Sequence, residues 1–147
     1  MDAFPFSADD WNAVTLAGAA MANASLMDDG VLGAARFVDL AELLHQLKVV
    51  YGEHPVLIET EADFTTDARE KVSLYEHAKE IALIHGLPTF SIRLSLARVL
   101  LEDLELPEKA RQELQLSRTE LFRNGDEYEH AKWLELMEEC DNRKVKL

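Results

Sequence analysis

The residues whose types and spacing could do chemistry are two Glu-x-x-His pairs, Glu42-Leu-Leu-His45 and Glu127-Tyr-Glu-His130. Helical di-iron and di-manganese carboxylate centres are built from two such pairs plus a Glu from each of two further helices, so the chemistry suggested is that of a helical metal oxidase. The spacing argues against it. At 100° per residue, Leu40, Leu43, Leu44, Leu47 and Val50 mark one face of a helix, and Glu42 and His45 point away from it, into solvent. A Glu-rich chain with five His also produces such pairs by chance. No metal and no other cofactor is expected.

Other reactive groups lead to the same place. Cys140 lies near the end of the last helical pattern beside Glu138, Glu139 and Asp141. The helix C-terminus and these carboxylates disfavour a thiolate, so a core thiol is expected. His77 and His85 read as hydrogen-bonded core or boundary imidazoles, with His85 in the apolar arc of Leu74, Ala78 and Ile81. The chain has no Gly-rich phosphate loop, no Gly-x-Ser-x-Gly and no Cys-x-x-Cys. Nucleotide-binding, serine-hydrolase and zinc-ribbon readings therefore have no anchor, and the expectation is a protein without catalytic activity.

Arg93 is the most informative charge, because it falls in the middle of an apolar arc with Phe90, Leu96, Ala97 and Leu100. A guanidinium placed there must be paired. Glu59, Glu61 and Asp63, in the acid-rich segment upstream, are the expected partners. Two roles follow: an internal ion pair that pins that segment to the helices, or a groove floor where Arg93 receives a carboxylate from a bound peptide. Arg93, Glu59, Glu61, Asp63 and Trp11 are accordingly the candidate partner-binding residues.

These side chains must be positioned by helices. Ser7, with Asp9 and Asp10 behind it, caps a first helix over about 8–25. Its Ala13, Ala17, Gly18, Ala20, Ala22 and Ala24 leave little surface relief, which suggests a buried or partner-covered helix. A turn at Met27 to Gly30 leads to a second helix ending at Gly52. Residues 53–66 lack helical periodicity and read as an irregular linker, either an ordered loop or a short helix, with room for a two-residue bridge near Val56 to Ile58. Thr66 or Asp67 caps a third helix that runs to Gly86. Thr89 or Ser91 opens a fourth, apolar around most of its circumference and hence central. Pro107 starts a fifth, with the narrow stripe Ala110, Leu114, Ser117, Leu121. Asp126 caps a sixth, with Trp133, Leu134, Leu136, Met137 and Cys140 on one face, before a frayed tail at 142–147. The fold class is all-α, about six helices in antiparallel hairpins, in a single domain over 1–147.

Composition narrows the function classes. The chain has 147 residues, 15 Lys plus Arg against 28 Asp plus Glu, and a net charge of −13. Attraction to nucleic acid or anionic lipid is not expected, whereas a basic protein partner fits. The uncharged stretch Ala13 to Met27 follows acids rather than Lys or Arg and is too polar to act as a leader or span. With a single cysteine, the expected location is the cytoplasm.

The stretch LYEHAKEIA, with Tyr75, Ala78 and Ile81, resembles the second helix of a tetratricopeptide repeat. So does EKARQELQLS, with Ala110, Leu114 and Ser117, preceded by Leu94, Ala97 and Leu101 at positions resembling a first helix. The resemblance covers about residues 68–140 and is degenerate: Ala78 and Ser117 are 39 residues apart, and the usual Trp and repeat-ending Pro are missing. It implies a superhelix of stacked hairpins that binds a protein or peptide; a compact bundle is the other architecture the pattern allows. Function is thus expected to be protein-protein interaction in a helical groove, as an adaptor or chaperone-like module. The alternative is an acidic immunity-type inhibitor of a basic toxin or nuclease. A homodimer is compatible with both.

Overall fold

The computed structural model describes all residues except Asp28, Lys146 and Leu147, and the side chains of residues 144 and 145 are likewise outside the description. The described residues form seven α-helices and no strand: α1 (Ala8–Leu26), α2 (Gly30–Tyr51), α3 (Pro55–Phe64), α4 (Ala68–Ile84), α5 (Phe90–Glu102), α6 (Pro107–Asn124) and α7 (Glu127–Val145). Helices adjacent in sequence pack side by side as antiparallel hairpins, and α5 touches α4, α6 and α7. The arrangement is an all-α bundle of stacked hairpins.

Local chemistry sets most of the boundaries. Ser7 Oγ accepts from the Asp10 amide, Asp29 from Leu32 and Asp67 from Glu70, each satisfying an orphan N–H of a first turn. Asp126 and Glu129 form a reciprocal capping box at the start of α7. Gly52, at φ 79°, closes α2 in a left-handed conformation that side chains rarely adopt.

The seventh helix is α3, where the linker was expected. Pro55 does hold His54 extended (ψ 137°), but that is the geometry of an N-cap, and Pro55 itself occupies the first helical turn, where a missing N–H costs nothing. His54 Nδ1 accepts from the Val56 amide at 3.1 Å, and Nε2 bonds to the Asp2 carbonyl at 2.8 Å. The bridge at Val56 to Ile58 is therefore absent; those residues are helical. At the other end α7 continues to Val145, because Arg143 donates to the Leu101 carbonyl (2.6 Å) and to Glu139 (2.8 Å). The tail beyond that, at Lys146 and Leu147, lies outside the described residues.

Two apolar cores result. The larger joins α3 to α7 through residues such as Ile58, Tyr75, Leu96, Leu101, Leu114 and Leu136. The smaller joins Phe6, α1, α2 and one side of α3, where Leu57 is buried and Val56 and Phe64 pack against it. Helix α3 is shared: Leu57 faces one core, while Ile58 and Ala62 face the other. Helix α5 is central as expected, with eight of its 13 residues buried, and the α6 stripe Ala110, Leu114, Ser117, Leu121 is buried throughout. Helix α1 is not enclosed. It buries Val14, Gly18 and Ala24 and leaves Leu16 and Leu26 in solvent. Val50, placed with the α2 core stripe by periodicity, is also exposed, as is Leu134 on α7.

Candidate functional site

Arg93 is buried at 9% exposure, as its place in the apolar arc of α5 required. Its partner is not in the acid-rich segment. Nη1 donates to Glu113 Oε2 of α6 at 2.7 Å, and Nε donates to Thr89 Oγ1 at 3.2 Å. Glu113 also accepts from Lys79 Nζ of α4 at 2.8 Å, and Lys79 reaches Glu76 at 2.9 Å. This chain of ions ties α4, α5 and α6 together. The expected pairing with Glu59, Glu61 or Asp63 fails for a geometric reason: α3 lies on the Ser91 side of α5, and Ser91 and Arg93 are two residues, about 200°, apart around the helix. Arg93 thus faces α6 instead.

The three acids of α3 go separate ways. Glu59 Oε2 accepts from Ser91 Oγ of α5 at 3.0 Å. Asp63, one turn later on the same face, accepts from the buried Tyr75 hydroxyl of α4 at 2.5 Å. Glu61 projects from the other side and pairs with Lys48 of α2 at 2.9 Å. Trp11 is remote from all of them, packed with Phe4 and Phe6 at centroid distances of 5.0 and 5.5 Å. Of the five candidates, then, only Glu59 and Asp63 share a surface.

That shared surface perturbs ionisation. Burial, with the neighbouring carboxylates Asp63 and Glu129 adding to it against the Ser91 hydrogen bond, raises Glu59 from 4.5 to about 7. Asp63 is raised by crowding against the protein, while the Tyr75 hydrogen bond and the charges of Lys71 and Arg98 pull it down. Its exposed surface lets water screen the effect. The Tyr75 hydroxyl is raised by burial and by the Asp63 charge, so it stays a donor.

The other groups take structural places. Burial raises the Cys140 thiol. His130 Nε2 sits 3.0 Å from the Leu121 carbonyl, and its ring lies 5.1 Å from Phe122. Glu42 and His45 face solvent. His77 meets Glu53 at 3.1 Å on the surface, and His85 is exposed as the C-cap of α4 rather than within its apolar arc. Among the described residues no group of three or more His, Cys, Asp or Glu is placed to hold a metal ion.

A concave feature lies where the α1–α2 hairpin meets the α3–α4 corner; the groove expected between the first helix and the helices now α4 and α5 shares its α1 and α4 walls, but not the α2 and α3 residues that line it. Met21, Gly33, Phe37, Phe64 and Thr65 surround a cleft of about 500 Å³ with Asp29 and Glu70 at its edges. It adjoins a shallower space bounded also by Asp63, Lys71 and Asp103. Gly18 permits the approach of α1, since a Cβ there would lie 2.9 Å from the Phe64 ring. Gly18 was legible as a small residue, but Phe37 and Phe64 carry no sequence signal that brings them together. Comparison of the chain with protein-family models, with curated proteins and with solved structures finds no match.

Proposed function

We propose that this is a non-enzymatic protein-protein interaction module, adaptor- or chaperone-like, that docks a segment of another protein in the cleft between the α1–α2 hairpin and the α3–α4 corner. The observation that carries this reading is the convergence of Met21, Phe37 and Phe64 on an open space of about 500 Å³, the size and lining of a pocket that accepts an apolar anchor. The acids at its edge and a net charge of −13 favour a basic segment around that anchor. The stacking of α3–α4 on α5–α6 supports a repeat-like scaffold resembling tetratricopeptide proteins. No described helix is long and apolar enough to cross a membrane, and the proposed site of action is the cytoplasm.

Phe37 is the residue to change, because it edges the cleft and belongs to neither apolar core. Capture from the source lysate with the wild type supplies a binder, whose affinity is then measured by calorimetry. Phe37→Asp is expected to weaken it at least about tenfold, the loss of one apolar anchor, with an unchanged unfolding midpoint. Undiminished affinity sinks the cleft reading.

A second reading is that of an acidic inhibitor covering a basic toxin or nuclease. It draws on Glu102, Asp103, Glu105 and Glu108, all exposed around the α5–α6 turn. Under it, affinity falls steeply with salt and with Asp103→Lys, and Phe37→Asp changes nothing. Light scattering at twice the monomer mass would instead assign the exposed α1–α2 faces to a homodimer.

A further inference from the structure

A second concavity, away from the Phe37 cleft, lies between the N-terminal half of α3 and the α4–α5 turn. Its volume is about 210 Å³, and its walls are mostly apolar: Ala3, Val56, Leu87, Phe90 and Ile92. Glu59 stands on that wall. The other polar side chains there are already engaged. His54 uses Nδ1 to accept from the Val56 amide and Nε2 to reach the Asp2 carbonyl. Both ring nitrogens are thus occupied. Ser91 donates to Glu59 itself.

Glu59 faces no countercharge among the described residues. Among the described residues, its hydrogen-bond partner is Ser91, and the charged neighbours acting on it are carboxylates: Asp63 on its own helix and Glu129 on α7. Lys71 and Arg98 act on Asp63, one turn away. Glu113 pairs with Arg93 and Lys79, and Glu61 with Lys48, whereas Asp10 and Glu120, like Glu59, accept from neutral donors; Glu59 differs from these two in standing on the wall of an apolar hollow. An apolar hollow ending in an unmatched carboxylate, with two more carboxylates adding to the field, complements a cation carried on a hydrocarbon stem.

We propose that this hollow is a binding site for an aliphatic primary ammonium group, its stem against Val56, Leu87 and Phe90 and its nitrogen at the Glu59 carboxylate. A lysine side chain of a partner protein and a free alkylamine share this chemistry. The site does not depend on the Phe37 cleft, and either can fail alone. Because the ligand meets the ionised carboxylate, which burial and the two neighbouring acids hold protonated up to about pH 7, binding strengthens as pH rises through neutrality.

The test follows the Glu59 side-chain carboxyl by carbon NMR in glutamate-labelled protein at constant ionic strength. The additions are n-butylammonium chloride, n-butanol, or lysine blocked at both ends. At pH 8.5, n-butylammonium is expected to give a saturable shift that n-butanol does not reproduce. At pH 5.5 the affinity should be about tenfold weaker or more, because the ionised fraction of a group near 7 falls by more than that. In Glu59→Gln, which lacks that signal, titration calorimetry with n-butylammonium at pH 8.5 should register no binding, whereas the wild type and Ser91→Ala should both bind. Blocked lysine binding as tightly as n-butylammonium identifies a partner's side chain, and its failure alongside n-butylammonium binding identifies a free amine. Absence of saturation at pH 8.5, an equal response to n-butanol, or an affinity indifferent to pH overturns the proposal, and the pH arm needs no variant to fold.

Discussion

Helix α5 buries eight of its 13 residues, whereas α2 buries three of its 22. The contrast extends to the regions around them. The α3–α7 region closes on a continuous core and reinforces it with the Arg93–Glu113–Lys79 ions and the Trp133 indole, which donates to the Leu114 carbonyl at 2.8 Å. The α1–α2 hairpin encloses a small core and keeps Leu16, Leu26, Val31, Val38, Val49 and Val50 in solvent. What the difference teaches is a division of labour: burial per residue sets local stability, so the C-terminal region is the rigid body. The hairpin is the part that can yield, and the Phe37 cleft lies at the seam between the two.

The strongest way to break that contrast is to strip the rigid body of its charge compensation. Glu113→Ala leaves the Arg93 guanidinium buried without a carboxylate, and a loss of about 3–5 kcal/mol in denaturant unfolding is expected. Arg93→Met together with Glu113→Leu should recover most of it, since two apolar groups leave no orphan charge. Recovery below a quarter of the loss would mean that the ions do more than cancel one another.

Matched truncations sharpen the comparison. Leu101→Ala and Leu44→Ala each remove a fully packed side chain and should each cost about 2–5 kcal/mol. Their reach should differ. Leu101→Ala lowers the protection of every slowly exchanging amide, while Leu44→Ala lowers it in α1 and α2 and leaves α5 and α6 as in the wild type. Uniform loss in both variants would make the molecule one cooperative unit and end the division of labour.

Between the two regions stands α3, and Glu59 makes its attachment sensitive to pH. Its folded value, about 7, lies above the unfolded 4.5, so the folded state holds the proton more tightly. The stabilisation is therefore complete below about pH 4.5 and is lost as pH rises through 7, a change of up to about 3 kcal/mol. Glu59→Gln should flatten that part of the stability profile between pH 5 and 8. A wild-type profile already flat there would remove Glu59 from the account.

The smallest effect is expected at Gly18. Alanine there gains about 1 kcal/mol of helix propensity, but its Cβ would meet the Phe64 ring at 2.9 Å. The ring must move, so a near-zero stability change with shifted Phe64 and Met21 NMR signals is the expected result. Unshifted signals would show that α1 does not rest on Phe64.

The amino-acid sequence by itself determined the helical class, six of the seven helices, the caps at Ser7, Asp67 and Asp126, the start of α6 at Pro107, the buried stripe of α6 and the burial of Arg93. Each of these depends on interactions among residues a few positions apart, where periodicity and first-turn hydrogen bonds decide. Helix α3 escaped because its ten residues span under three turns and feed two cores from different faces, which erases a single apolar stripe. Tertiary structure alone decided that Arg93 meets Glu113, that Thr89 and Phe90 donate their amides to Glu120 of α6, and that Phe37 and Phe64 frame a cleft. It also decided that Glu59 meets Ser91 rather than a cation among the described residues. Those pairings depend on how helices far apart in the chain cross, and crossing is set by the summed packing of many side chains rather than by any local pattern.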